Sequence, residues 1–357
     1  MTVPDLRLAA RTESPGDSLI KISVVIPVHN GGNDLHKCLE AVAASTRPPD
    51  ELIIVDDAST DGSAQLAARY GLLVPSCHKL PIGPARCRNK GVAAATGDIV
   101  VFLDADVQVH ANTLAIIELY FLEHPDIAAL FGSYDDQPPY RSLVSLYKNL
   151  QHHFVHHNSQ QDASSFWTGA GAIRRDVFLR LGGFNESFPR PSIEDIELGV
   201  RLKASGYQIR LCPDVQVTHL KRWNIRSWLR TDIFDRVVPW TRLILSMSRL
   251  PADLNLDWKS RASALCIWGF LILSILGLWF PPAWVAALAL LGVLIALNYP
   301  LYRLFYKQGG VWFAPGAMLL HFFYFFYSSL TFGLIWIEHL LMKKSQKAST
   351  SYGSMGD

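Results

Sequence analysis

Residues 100–103, VVFL, form an apolar run that ends in Asp104-Ala-Asp106. Side chains alternate faces along a strand, so the two carboxylates point the same way, about 7 Å apart along the backbone. Two anions at that spacing repel unless something positive lies between them. A hard divalent cation joining them to substrate phosphates satisfies both, since Mg²⁺ is usually held by one or two carboxylates plus phosphate oxygens. His29-Asn30 and Asp56-Asp57 also follow apolar runs. Further along, Glu194-Asp195 supplies a general base for a poor hydroxyl nucleophile, with Glu194 raising the basicity of its neighbour by like-charge repulsion. The same pair also reads as an acidic helix start favoured by the dipole, and Asp56 or Asp61 as a helix cap. His152, His153, His156 and His157 stand at i, i+4 spacing, which suits either a zinc grip or a polar, acceptor-facing helix. No carboxylate or cysteine nearby completes a zinc set.

The surrounding elements explain how these groups meet. KISVVIPVHN and ELIIVDDAST read as buried strands, and NDLHKCLEAVAAS as a helix with Leu35, Leu39 and Val42 on one face. DGSAQLAARYG reads as a helix closed by Gly71, PARCRNKGVAAATG as a third helix, and DIVVFLDADV as a further strand. Alternation at this spacing predicts a right-handed parallel α/β arrangement. Ligands of such sheets bind outside the carboxyl ends of the strands, which gathers His29, Asn30, Asp56, Asp57, Asp104 and Asp106 at one crevice.

The 357 residues are half hydrophobic, and the excess lies in 262–342. Its three apolar stretches of roughly 19 to 26 residues are long enough for a hydrocarbon core of ~30 Å. Two or three transmembrane helices are expected, with Pro281 and Pro282 breaking the first two into a hairpin. Residues 220–261 carry nine Lys/Arg and four Asp/Glu, a local +5 in a chain of net +2. Together with Trp223, Trp228, Trp240 and Trp258 this predicts an amphipathic segment on an anionic leaflet rather than a nucleic-acid surface. The N-terminus has no apolar h-region, so the polar part is expected in the cytoplasm. Three spans would leave the terminal KKSQK outside, against the positive-inside tendency, unless one segment is re-entrant or interfacial. The five cysteines, Cys38, Cys77, Cys87, Cys212 and Cys266, form no CxxC pair and read as reduced, packed thiols.

VVIPVHN, LIIVDDASTDGS, ARCRNKGVAAATGDIVVFLDAD, WTGAGAIRRDVFLRLGGFNESF and EDIELGVRL, in this order, resemble a family 2 glycosyltransferase of the GT-A fold. The resemblance implies a Rossmann-like mixed sheet over 21–223, after a tail at 1–20. An interfacial segment at 224–261, a transmembrane region at 262–342 and a polar end at 343–357 complete the expected organisation. It implies that Pro27, His29 and Asp57 hold the nucleobase, that Arg88, Asn89 and Asp104 lie at the nucleotide sugar, and that Asp104 and Asp106 bind Mg²⁺ or Mn²⁺. Asp195 matches the base of inverting members, with Glu194 beside it, while Trp167, Gly169, Arg222 and Trp223 fall on the acceptor side. Two departures stand out. Ala58 replaces the glycine of a common DDG, and HLKRW puts His219 where processive relatives carry the glutamine of QxxRW. His219 reads as a further metal ligand or as a hydrogen-bonded structural residue.

The expected activity is inverting transfer of one sugar from a nucleotide donor to a hydroxyl of a lipid or lipid-linked acceptor. It would take place at the cytoplasmic face of the cell membrane, in a multi-pass cell-envelope enzyme. Transfer to polyprenyl phosphate needs no base, a processive synthase needs more helices for a channel, and a dead binding module would not keep every acidic motif position filled.

Overall fold

The computed structural model describes residues 20–76, 78–247 and 257–353, with side chains through Lys343. Residues 1–19 of the expected tail, Cys77 and residues 248–256 of the expected interfacial segment lie outside the described residues.

One eight-stranded sheet organises the first two-thirds of the chain. Strands β1 (Ile22–Val28), β2 (Glu51–Asp56), β3 (Leu72–Pro75) and β4 (Ile99–Leu103) are parallel, with α1 (Gly32–Ala43), α2 (Ser63–Ala67) and α3 (Pro84–Ala94) between them. The parallel expectation ends there. β5 (Val107–Val109), α4 (Thr113–Glu123), β6 (Ile127–Tyr134), α5 (Leu143–Asn158), β7 (Ala170–Arg174), α6 (Arg175–Arg180), α7 (Glu194–Ala204) and β8 (Gln208–His219) complete a mixed sheet of order β3-β2-β1-β4-β7-β6-β8-β5. β7 runs antiparallel to both β4 and β6, and β5 antiparallel to β8. Side-chain alternation divides the core: Val24, Ile26 and Val28 pack under α1 and α4, whereas Val25, Val100 and Phe102 pack with the residues of α3, α6 and α7. All five side chains of β4 are therefore buried, and the first polar side chains after it, Asp104 and Asp106, are half-buried.

After β8 come α8 (Ile225–Arg230), a π-helical turn (Thr231–Val237) and α9 (Val238–Ser246). Three apolar helices follow: α10 (Trp258–Leu276), α11 (Ala283–Leu297) and α12 (Tyr299–Gly353). Pro281 and Pro282 sit between α10 and α11, and α12 is broken at Gly310, whose φ of 76° only glycine adopts without strain. Two helices, α10 and the stretch Tyr299–Lys343, are long and apolar enough to cross a membrane. In each, only 17% of the most apolar window is buried, unlike the core helix of a soluble domain.

The tail is not a free appendage. Leu301, Tyr302, Phe305, Ala314, Ala317 and Tyr327 pack with Val144, Tyr147 and Leu150 of α5 and with Trp223 and Trp228. Trp228 is thus a core residue, correcting its expected interfacial place: its ring meets Tyr147 and Tyr327, and Nε1 donates to Asp232 at 2.9 Å. Among the described residues of the segment, the exposed large apolar side chains are Ile225, Phe234 and Trp258 instead.

Candidate active site

The carboxyl ends of β1, β2 and β4 open on a cavity of about 630 Å³. Pro27, His29, Asp57, Arg88, Asp104, Asp106, Trp167, Glu194, Asp195, His219 and Trp223 all line it. Residues as far apart in sequence as 27 and 223 meet there because three parallel strands end together and β8 returns alongside.

At one end, His29 Nδ1 donates to the Asp57 carbonyl at 2.7 Å, which fixes the ring's tautomer. The Asp57 carboxylate accepts from the amides of Ile82 and Gly83 at 2.8 and 2.9 Å. Asp57 thereby shapes the loop that walls this end. Gly83 has φ 93°, and a Cβ there would lie 2.6 Å from the Pro189 carbonyl oxygen, so this loop touches the segment leading to α7. Ala58, standing in place of glycine, has φ 59°, a left-handed conformation that costs an L-residue about 1–2 kcal/mol.

The centre is organised by Arg88. Its buried guanidinium donates to Asp104 Oδ1 at 2.7 Å and to Glu194 Oε1 at 2.9 Å. One fork on α3 therefore joins Asp104 to the start of α7, whose Glu194 lies 106 residues from Arg88 in sequence. Glu194 also accepts from the Ser192 amide at 2.8 Å, so its carboxylate is committed to holding the helix start. Asp195 accepts from the Ile196 amide at 2.8 Å and from the amide and hydroxyl of Thr168 at 3.2 and 3.3 Å. Burial, then the neighbouring Glu194, pushes the Asp195 carboxyl up to about 7.

Asp104 and Asp106 differ electrostatically. Burial raises Asp104, opposed by Arg88. Burial also pushes Asp106 up, but His219 and Lys221 outweigh it and hold this carboxyl at about 2. His219 Nε2 lies 3.8 Å from Asp106 Oδ2, and its ring stacks on Tyr134 with centroids 4.1 Å apart. Among the described residues no group of three or more His, Cys, Asp or Glu side chains converges on one point as a finished metal cage. The donor set still fits a hard divalent ion: Asp106 is ionised, and one Asp104 oxygen stays free of Arg88. Such an ion would take its other ligands from phosphate oxygens.

Asp56, Asn89, Gly169 and Arg222 fall outside the cavity lining, which corrects the expected place of Asp56 at the crevice: it is buried and accepts from the Ser59 amide at 3.4 Å. Asn89 exchanges hydrogen bonds with the backbone of Phe184, donating at 2.9 Å and accepting at 2.8 Å, and so fastens α3 to the GGF turn. Gly169 lies under the Trp167 indole, where a Cβ would come within 2.1 Å of a ring carbon. Arg222 turns outward over Tyr140. The α5 histidines are tied to the sheet: Nδ1 of His153 and of His156 donate at 2.8 Å to the carbonyls of Tyr134 and Gly132. His152 and His156 face the cavity beside Trp167 and form no zinc grip.

Lys148 and Arg190, marked by no motif, line the far end together with Arg236 and Trp240, whose expected place in the basic segment was a membrane interface instead. The signal was long-range. Lys148 is held by Asp232, 84 residues away, at 2.8 Å, and the same carboxylate takes the Tyr327 hydroxyl at 2.7 Å.

With this geometry in view, comparison with known proteins is informative. Residues 23–182 match the model described as glycosyl transferase family 2, and residues 148–223 match one described as the N-terminal domain of galactosyltransferase. Somewhat less than half of the chain is thus similar to family 2 glycosyltransferases. An uncharacterized glycosyltransferase, YibD of Escherichia coli (strain K12), is 38% identical over 110 residues, 30% of this chain and 32% of that protein. The O-antigen chain rhamnosyltransferase RfbN of Salmonella typhimurium is 26% identical over 243 residues, 62% of this chain and 74% of its own. The chain thus spans about a third of the first relative and three-quarters of the second. In fold, it is similar to the mannosyltransferase PcManGT of Pyrobaculum calidifontis, solved with GDP-Man and Mn²⁺, at TM-score 0.53 and 21% identity over 84% of this chain and 86% of that one. The architecture is therefore GT-A, followed by C-terminal apolar helices.

Proposed function

We propose that this chain is an inverting glycosyltransferase that moves a sugar from a nucleotide-sugar donor to a hydroxyl of a lipid or lipid-linked acceptor, at the cytoplasmic face of a membrane that its tail crosses. The observation that carries this reading is the convergence of Asp104, Asp106, Arg88 and Asp195 on one cavity, with Asp195 held at about 7. His29, Pro27 and the loop fixed by Asp57 receive the nucleobase. Asp104 and Asp106, with His219 beside them, hold Mg²⁺ or Mn²⁺, which when bound neutralises charge on the leaving diphosphate. The Mn²⁺ and GDP-mannose of the Pyrobaculum enzyme and the lipid-borne chain implied by the O-antigen relative support these choices.

In the reaction, Thr168 orients Asp195 and the carboxylate takes the proton from the acceptor hydroxyl, a step typically contributing 10² to 10⁴-fold. Arg88 keeps Asp104 and the α7 start in register, so donor and base stay at fixed separation. The test is a donor screen. Detergent-purified protein is given a panel of nucleotide sugars with Mn²⁺ or Mg²⁺, and released nucleoside diphosphate is measured. One donor should be turned over and chelator should stop it; no turnover of any donor defeats the reading.

A further inference from the structure

Beyond Asp195 the cavity changes character. Arg190, Lys221 and Arg236 line it there with Trp223, Trp240 and Thr231. None of the three cationic groups has a carboxylate within hydrogen-bonding distance among the described residues: Arg236 lies 3.6 Å from Asp232, and Arg190 lies 4.0 Å from Asp235. Asp232 Oδ2 is already occupied, accepting from Lys148, Trp228 and Tyr327, while its Oδ1 faces Arg236 without a hydrogen bond. Lys221 rests over the Trp223 ring at 4.5 Å. Arg236 and Arg190 are thus only loosely paired, with Asp232 and Asp235, and Lys148, Arg190, Lys221 and Arg236 outnumber these two carboxylates at the wall of a concave site, where bidentate guanidinium groups suit phosphate oxygens.

The elements carrying this charge also adjoin the apolar tail. Ile233 of the π-helical turn packs with Tyr327 in the same cluster, and Arg242 of α9 reaches Glu338 of α12 at 3.3 Å. Phe234, next to these residues, is exposed. A ligand reaching this end from the tail side meets apolar surface first and cations second.

We infer that Arg190 and Arg236, with Lys221 behind them, form a subsite for the phosphate or diphosphate ester that joins an acceptor to its lipid chain. This rests on the transferase reading and sharpens it. The acceptor is then an anionic lipid-linked sugar or alcohol whose reacting hydroxyl points to Asp195, and neutral lipids are poor substrates.

The test is direct binding to the detergent-purified full-length chain, with chelator present so that any metal-dependent nucleotide site is silent. The probes are farnesyl diphosphate, inorganic pyrophosphate and farnesol. Farnesyl diphosphate should bind at least tenfold more tightly than either fragment, and Arg190→Gln with Arg236→Gln should weaken it at least tenfold, with Arg190→Lys and Arg236→Lys restoring part of the loss. Nucleoside diphosphate binding with Mn²⁺ should stay within about twofold in the glutamine variants. Unchanged farnesyl diphosphate affinity in those variants overturns the inference. So does pyrophosphate binding as tightly as farnesyl diphosphate, or a parallel loss of nucleoside diphosphate affinity, which would assign the cations to the donor. If no donor is ever turned over while farnesyl diphosphate binds as described, the transferase reading falls and the subsite stands.

Discussion

The reactivity assigned to Asp195 has a direct kinetic consequence. With its carboxyl at about 7, about a tenth of the molecules carry the ionised base at pH 6, half at pH 7 and about nine-tenths at pH 8. kcat/KM for transfer should therefore rise about tenfold from pH 6 to pH 8 and then level off. Glu194→Gln removes the like charge that helps raise Asp195 and also releases Arg88 from one of its two carboxylates. Both changes favour the ionised base, so the acid limb should move to lower pH while the plateau changes less. Stability follows the opposite direction. Between the ordinary 3.8 and about 7 the folded chain holds this proton more tightly than the unfolded chain. The group therefore stabilises the fold fully below about pH 4 and loses that contribution as pH rises through 7. The assay is initial-rate transfer in overlapping buffers at constant ionic strength, with donor near saturation and unfolding followed separately. A flat profile from pH 6 to 8, or an acid limb near pH 4 in the parent enzyme, would refute the argument that burial and Glu194 tune the base.

Three further outcomes are expected. Asp104→Asn and Asp106→Asn each remove charge without volume and should lower donor turnover at least about a hundredfold with folding retained; activity that survives both substitutions and excess chelator rules out the metal site. A chain ended at Leu256 should lose integral membrane association and, because Tyr147, Leu150 and Trp228 lose their covering from α12, should be less stable by on the order of 5 kcal/mol, as read by denaturant titration of the soluble product. Ala58→Gly relieves a left-handed alanine at about 1–2 kcal/mol but adds glycine's entropy of roughly 0.5–1, so a net gain of about 0.5–1 kcal/mol is expected in the same titration, and a loss would show that the side chain is needed.

What was legible in the sequence divides by the range of the signal. β1, β2 and β4 announced themselves because an all-buried strand is a continuous apolar run, and the polar residues just after each run had to emerge at the same sheet edge. β3, only Leu72–Pro75 and half-exposed at the edge of the sheet, carries no such run and passed unnoticed. The helix expected from DGSAQLAARYG shortens to Ser63–Ala67, since Gly62 at φ 87° precedes it and Ala68 already ends it. β6 is buried throughout, but Gly132 and Ser133 interrupt its apolar run, and β8 carries Gln208, Arg210, Asp214 and Gln216 on its partly exposed face, so neither stood out as a continuous apolar strand.

The same distinction separates the two ends of the cavity. At the end walled by His29 and Asp57 each residue sits on a short motif whose local structure puts it there, so spacing along the chain predicts spacing in the fold. At the far end nothing is local. Lys148 points where it does because Asp232 accepts from it, and Asp232 stays charged in a buried place because Trp228 and Tyr327, from two other helices, also donate to it. That knot fastens α5 to α12, so the wall of the cavity and the apolar tail form one mechanical unit. Removing one partner leaves a buried charge uncompensated, at roughly 3–5 kcal/mol, which is comparable with much of a domain's stability. The tail is therefore part of the cavity's support: without it, α5 loses the contacts that set Lys148, Gln151 and His152 at the far end of the cavity.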